Sequence, residues 1–217
     1  MRYLDRLKSI LNQSELAFLA RLNSPQKIQD YLDSLPINFE LLGETYMSVR
    51  RTIRLQTAHC LEGALLAAAA LAYHGERPLL MDFRTVPEDE DHVVAVFKQN
   101  GYWGAMSKTN HAILRYRDPI YKSPRELAAS YFHEYLMWED GRKTLREYSI
   151  PLDMWRYDPA TWLVSDGELF WLAEDLDGIK HFPLVPKKNL KLLRRANKFE
   201  IDTIRATEWK QKKITSN

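Results

Sequence analysis

Hydrophobic positions in the first part of the chain recur at helical spacing. One face of a helix would collect Leu4, Leu7, Ile10 and Leu11. Further along, Ser24-Pro25 is typical of a helix start, with the serine as N-cap and the proline in the first turn. Pro36 would end that helix, because proline cannot continue it. The pattern therefore predicts a helical region over residues 1–35.

A continuous apolar pattern covers residues 60–74, where nearly every side chain is apolar or small. A helix that is hydrophobic on all sides is expected at the centre of a fold. Glu62 is its one acidic residue, and a buried carboxylate without a partner would cost several kcal/mol. We expect the partner to be one of three arginines just before the helix, Arg50, Arg51 and Arg54.

Strand patterns follow this helix. Residues 78–83 are mostly apolar, residues 92–97 are rich in β-branched side chains, and residues 102–106 would form a returning strand. Asn100-Gly101 indicates a turn between the last two. If residues 98–101 form a four-residue turn, the register sets His92 opposite Ser107.

The C-terminal part has a weaker pattern. We expect a strand at residues 112–116, two short strands at 162–164 and 169–172, and a basic amphipathic helix or helix pair over 186–209. Together these elements predict one α+β domain spanning residues 1–217. Its core would cover about 25–140, and an extension rich in Trp, Tyr and Pro would cover about 141–217.

Charge balance, the length of the apolar runs and the cysteine count limit which partners the protein can have. Lys and Arg number 31 against 29 Asp and Glu, a formal charge of +2, which is too balanced to favour nucleic acid as a partner. The longest apolar stretch, residues 64–73, is about half of the roughly 20 residues a membrane span needs. The single cysteine cannot form an internal disulfide. We therefore expect a cytoplasmic protein with no membrane partner.

Cys60 is the strongest candidate for chemistry. It stands at the predicted helix start, where the helix dipole and free N–H groups favour a thiolate. His92, at the start of a predicted buried strand, could serve as its base. Gln56, four residues before the cysteine, could donate to an oxyanion. A free cysteine is more often a small buried hydrophobe, so the pairing with His92 carries the interpretation.

These features together resemble the bacterial transglutaminase-like superfamily over roughly residues 25–140. The resemblance is carried by the helix-start cysteine, the short acidic loop, His-Val-Val-Ala-Val-Phe from His92, and Gly-Tyr-Trp-Gly-Ala-Met-Ser-Lys-Thr-Asn from Gly101. It implies a papain-like core, with a central helix packed on an antiparallel sheet. It also implies that Cys60 is the nucleophile, that His92 is the base, and that Trp103 is the aromatic preceding the acid.

The chain departs from that family at the third position. Where the family usually has Asp-Pro-Thr, this sequence has Ser107-Lys108-Thr109-Asn110. An uncharged group would then orient the histidine. Asn110 is one candidate, since asparagine does so in papain-like enzymes, and Ser107 occupies the aligned position.

The resemblance implies a thioester acyl-enzyme formed on a peptide or protein amide, resolved by hydrolysis or by acyl transfer to an amine. The alternative is a catalytically silent member of the same fold that binds a peptide or protein. We expect no cofactor. We also expect no metal site, because His59, His92, His111 and His133 show no ligand spacing.

Overall fold

The computed structural model describes residues 2–210. Its α-helices are α1 (Tyr3–Ile10), α2 (Gln13–Arg21), α3 (Pro25–Ser34), α4 (Val49–Leu55), α5 (Cys60–Tyr73), α6 (Pro124–Tyr131), α7 (Pro159–Leu163), α8 (Phe170–Gly178) and α9 (Lys198–Ile204). Its strands are β1 (Leu79–Arg84), β2 (His92–Gln99), β3 (Tyr102–Met106), β4 (Arg117–Tyr121), β5 (Glu147–Ser149), β6 (Leu152–Asp153) and β7 (His181–Pro183). Short 3₁₀ turns cover Met154–Arg156 and Lys187–Leu192.

Polar caps divide the predicted N-terminal helical region into three helices. Asn12 and Glu15 form a capping box at the start of α2. Ser24 Oγ accepts the Lys27 N–H at 3.3 Å and starts α3, with proline in the first turn as the sequence indicates. Each cap satisfies N–H groups that would otherwise lack partners, so each fixes a helix start.

All seven strands pair antiparallel in one sheet, giving a mixed α/β architecture. The strand order is β4-β3-β2-β1-β5-β7, and β6 pairs with the other end of β1. Strand β2 therefore lies inside the sheet, between β1 and β3. His92 begins this strand and pairs with Phe83 of β1.

The four-residue turn predicted between β2 and β3 is wrong. Gln99 pairs with Tyr102, so Asn100-Gly101 alone form a two-residue turn, with φ of 50° and 87°. Asn-Gly suits this turn because both residues tolerate positive φ. The register differs from the predicted one by two residues, which keeps each side chain on its predicted face.

The two faces of the sheet bury different helices. One face packs its apolar side chains, Leu80, Val93, Ala95, Phe97 and Met106, in the cluster that contains α5. The opposite face packs Met81, Phe83, Val94, Val96 and Ala105 with residues of α6. Helix α5 is buried from Leu61 to Ala72, as its continuous apolar pattern predicts. No helix within residues 2–210 has the length and apolar character needed to cross a membrane.

Several predicted C-terminal elements are wrong. Residues 162–164 and 169–172 belong largely to α7 and α8 rather than to strands, because Asp158 and Pro159 cap and begin α7. The strand expected at 112–116 lies instead at 117–121. The predicted basic tail helix is a 3₁₀ turn followed by α9.

Candidate functional site

Cys60 occupies the first position of α5 and is partly exposed. A cleft of about 600 Å³ opens above it and is lined by Cys60, His59 and His92. The buried remainder of α5 fixes the backbone of Cys60, and its position at the helix start places the residue in the cleft wall. The helix dipole favours negative charge at this end.

His92 is buried and held by a serine. Its Nε2 lies 2.7 Å from Ser107 Oγ, and Ser107 is fully buried. This contact occupies Nε2 and leaves Nδ1 as the ring nitrogen available to another group.

A glutamine from α3 fixes the backbone of Ser107. Gln29 Nε2 donates to the Ser107 carbonyl at 2.9 Å, and the Ser107 N–H donates to Gln29 Oε1 at 2.9 Å. The two bonds hold the serine in one orientation beneath His92. Sequence reasoning missed Gln29, because nothing in a single sequence indicates a contact across 78 positions.

Two imidazole rings influence the pKa of the Cys60 thiol. Burial alone would raise the pKa of the thiol, but the imidazoles of His59 and His92 hold that pKa well below its usual range. Cys60 and His92, which are 32 positions apart in the sequence, line the same cleft. The thiolate, which is the nucleophilic form, is favoured.

His59 is the N-cap of α5 and packs beside the sulfur. Its Nδ1 lies 3.9 Å from Cys60 Sγ and 3.2 Å from the Leu61 N–H. Its Nε2 lies 2.6 Å from the Thr45 carbonyl. Sequence reasoning considered His59 only as a metal ligand. The spacing of His59 and Glu62, the first and fourth residues of a capping box, was the available signal.

Glu62 is fully buried, and the expected arginine partners are wrong. Arg50 pairs with Glu15, and Arg51 pairs with Glu168. The Glu62 carboxylate instead accepts hydrogen bonds from Asn38 Nδ2, Thr45 Oγ1 and the N–H groups of Met47 and His59, at 2.9–3.3 Å. Its Oε1 also lies 3.4 Å from His59 Nε2.

Asn110 and Gln56 are bonded elsewhere. Asn110 Nδ2 donates to the Trp209 carbonyl at 3.0 Å, and Asn110 Oδ1 accepts the Trp209 N–H at 2.8 Å. Gln56 is exposed, and its Nε2 donates to Tyr31 Oη at 3.0 Å and to the Ile53 carbonyl at 2.6 Å. Of the two predicted orienting residues, Ser107 is therefore the one that contacts the His92 ring.

The cleft is strongly acidic. Its carboxylates are Glu40, Glu88, Asp89, Glu90, Asp91, Glu134 and Glu139. Two are neutralised by ion pairs, Glu88 with Arg142 and Glu134 with Arg117. Negative charge around a thiol opposes its ionisation, so the two imidazoles must outweigh this acidic lining.

Three aspartates form an acidic group that shares Asp91 with the cleft. Carboxylate oxygens of Asp82, Asp91 and Asp177 lie within 4.8 Å of one another. Asp82 is bonded to His181 Nε2 at 2.9 Å, and Asp91 accepts the Thr85 N–H at 2.8 Å. These protein contacts already account for two of the three carboxylates.

The arrangement around Cys60 contains the parts needed for nucleophilic chemistry at an acyl carbon. A thiol with a lowered pKa, a buried imidazole and a fixed hydroxyl converge beside an open cleft. Comparison with protein-family models and with curated proteins gave no match for the chain.

Proposed function

We propose that this protein is a cysteine-dependent acyl-transfer enzyme of transglutaminase-like type. The observation that carries the proposal is the position of His92, whose Nε2 lies 2.7 Å from Ser107 Oγ and which lines the same cleft as Cys60. The Ser107 contact uses Nε2 and leaves Nδ1 to exchange a proton with the thiol, as a proton carrier between nucleophile and orienting group requires. The substrate would be a peptide or protein amide.

The reaction would begin with transfer of the thiol proton from Cys60 to Nδ1 of His92. The thiolate attacks the amide carbon, and the carbonyl oxygen becomes an oxyanion. The backbone N–H of Cys60 is a candidate donor to this oxyanion, because first-turn N–H groups lack intrahelical acceptors. This donor replaces Gln56, whose side-chain amide is bonded elsewhere.

Collapse of the intermediate breaks the carbon–nitrogen bond, and His92 returns its proton to the leaving amine. A thioester on Cys60 remains. Water or a second amine then attacks the thioester while His92 accepts its proton, and Cys60 is released as the thiolate. Hydrolysis and acyl transfer differ only in this second nucleophile.

The papain-like arrangement is part of the same proposal. Its support is a buried central helix that begins at the cysteine and packs on an antiparallel sheet, with the histidine at the start of an internal strand. The cleft size suits a peptide segment. The acidic lining favours segments that carry lysine or arginine.

A binding module without catalysis is the second candidate, and the observation that favours it is the uncharged Ser107. A carboxylate at this position would stabilise the imidazolium, whereas a hydroxyl only orients the ring. In that case the cleft would bind basic peptides without forming a thioester.

Intact-mass spectrometry of the protein with glutamine-containing peptide amides would test the proposal. Basic and acidic peptides of equal length, with and without an added primary amine, form the panel. We expect an acyl adduct on Cys60, preferentially with the basic peptides, that is absent in Cys60→Ala and slowed in His92→Ala. Binding without any adduct, together with iodoacetamide labelling no faster than that of a free thiol, would favour the binding module.

A further inference from the structure

Cys60 has two imidazole neighbours, and the proposed reaction uses only His92. His59 is the second, with Nδ1 3.9 Å from the sulfur. Its side chain is only 13% exposed, so its charge is poorly screened by solvent. A cation at this distance from sulfur stabilises a thiolate.

The far side of the His59 ring is held by acceptors. Its Nε2 faces the Thr45 carbonyl at 2.6 Å and Glu62 Oε1 at 3.4 Å, so Nε2 carries a proton in either charge state. Because Glu62 has no arginine or lysine partner among the described residues, the imidazolium is the cation nearest to it. The buried carboxylate thus favours the charged ring.

We propose that His59, backed by the buried Glu62, is a second catalytic imidazole that stabilises the Cys60 thiolate and supplies the charge that Ser107 cannot give to His92. The inference rests on the proposed use of Cys60 as nucleophile. It separates two roles: His59 stabilises the charge on sulfur, and His92 carries the proton. Glu62 then takes the part of the acid that the family pattern would place at Ser107.

The two contacts of Nδ1 correspond to two states of one ring. With a protonated thiol, neutral His59 accepts the Leu61 N–H at 3.2 Å and caps the helix. With the thiolate formed, a proton on Nδ1 faces sulfur, and the cap bond to Leu61 is given up. The charge of the His59 ring at the start of α5 therefore changes together with the charge on Cys60.

Other titratable groups lie near His59 and His92. Glu40 lies 3.9 Å from His59 Nε2, and the Tyr46 ring packs 5.8 Å from the His59 ring. Tyr135 packs 6.4 Å from the His92 ring, and the acidic run at 88–91 lines the cleft. Burial would lower the pKa of His59, but the negative charges of Cys60 and Glu62 and the Thr45 carbonyl raise it to about 9.

The pH dependence of iodoacetamide labelling tests the proposal, and the single cysteine makes the signal unambiguous. His59→Asn keeps an N-cap acceptor but removes the imidazole. We expect the labelling midpoint to rise by about 1–3 pH units, the usual effect of losing an opposite charge at this distance. Glu62→Gln should raise it less. An unchanged midpoint in a folded His59→Asn protein would overturn the proposal and leave only a helix cap.

A second measurement does not depend on how the His59 variant folds. In the Cys60→Ala protein, NMR titration should give a His59 pKa well below the wild-type value. The reason is that a thiolate raises the pKa of His59 by the same amount by which the His59 imidazolium lowers the pKa of the thiol. An equal His59 pKa in both proteins would also overturn the proposal. Neither experiment needs a substrate, so absence of an acyl-enzyme would count against the proposed function and not against this charge coupling.

Discussion

Among single residues, Ser107 controls how firmly His92 is oriented, because its hydroxyl is the group that contacts Nε2. Ser107→Ala removes this hydrogen bond inside a fully buried site. A bond of about 1 kcal/mol corresponds to roughly a fivefold effect, so we expect iodoacetamide labelling of Cys60 at pH 7 to slow by about that factor. The labelling rate, followed by intact mass, is the measurement.

Asn110→Ala is the matched comparison for this prediction. Its amide bonds the Trp209 backbone and not the His92 ring. The thiol labelling rate should therefore stay close to that of the wild type, even if stability falls. Equal slowing in both variants would mean that loop disorder, rather than the Ser107 hydroxyl, changes the thiol.

Lys108 makes stability depend on pH at the same loop. Its ammonium is buried and donates to the Leu35 carbonyl, and burial lowers its pKa to about 8 despite opposing effects of Glu208 and Asp33. Between that value and the unfolded value near 10.4, the unfolded chain binds more protons, so rising pH stabilises the folded state. Below the folded-state pKa, the full free-energy cost of burying the charged Lys108 ammonium applies.

Urea unfolding of the wild type and Lys108→Met at pH 7 and pH 10 isolates this contribution. The other titrating groups are common to both proteins and cancel in the difference. We expect the wild type to gain up to ~3 kcal/mol relative to the variant at the higher pH. A difference that does not vary with pH would contradict the lowered pKa.

Among elements, the contact between α5 and the loop after β3 depends on Gly63. A Cβ at this position would lie 2.4 Å from Lys108 Cβ, a clash that a flexible side-chain end cannot relieve. Alanine favours helix by about 1 kcal/mol, but overpacking costs about 1–3 kcal/mol, so Gly63→Ala should be destabilising. Because Lys108 follows Ser107, thiol labelling should also slow.

Gly178→Ala is the control for this prediction, since a Cβ there meets nothing within 4 Å. It should leave the thermal midpoint and the labelling rate near the wild-type values. If Gly63→Ala proves as well tolerated, the loop moves freely over α5 and the close approach has no role in placing Ser107.

The elements predictable from sequence are those whose signal is local. Continuous apolar residues gave the central helix, and Asn-Gly gave the hairpin between β2 and β3, though not its turn length. The apolar residues at 162–172 resemble strands when considered alone, yet the Asp158 cap and Pro159 make the first of them helical. At α7, the helix start made by Asp158 and Pro159 therefore outweighs the strand preference of the apolar residues that follow.

The candidate site was only partly predictable, for the same physical reason. Cys60 stood out through its helix start and His92 through its strand. The clamp from Gln29 and the donors around Glu62 come from distant segments, including residues 38–47. No pattern in a single sequence specifies such contacts, because they form only when separate elements pack.

At the scale of the whole molecule, the pair of Asp82 and His181 joins the central strand β1 to β7 of the C-terminal extension. Their side chains are only 4% and 3% exposed, and Asp82 Oδ2 lies 2.9 Å from His181 Nε2. His181 Nδ1 faces the Ile179 carbonyl at 2.8 Å. Removing one member of a buried pair leaves the other uncompensated, at a cost of about 3–5 kcal/mol.

His181→Ala should therefore lower the free energy of unfolding by about 3–5 kcal/mol at pH 7. Burial raises the pKa of Asp82 above its usual range, with His181 opposing the rise and Asp91 adding to it. Without His181, that pKa should rise further, and protonation of Asp82 on lowering the pH would relieve the penalty. The loss should thus be smaller at pH 5 than at pH 7 in urea titrations.

Asp82→Asn separates the hydrogen bond from the charge, because an amide oxygen still accepts the Nε2–H of His181 but carries no charge. Asp82→Asn should lower the free energy of unfolding less than His181→Ala does, and this loss should vary little with pH.

The main core cluster extends from Leu7 through α5 to Leu176, so the lost stability should appear equally in far- and near-UV circular dichroism. Two separate transitions would show that the extension unfolds independently of the core and that this hydrogen-bonded pair does not couple them.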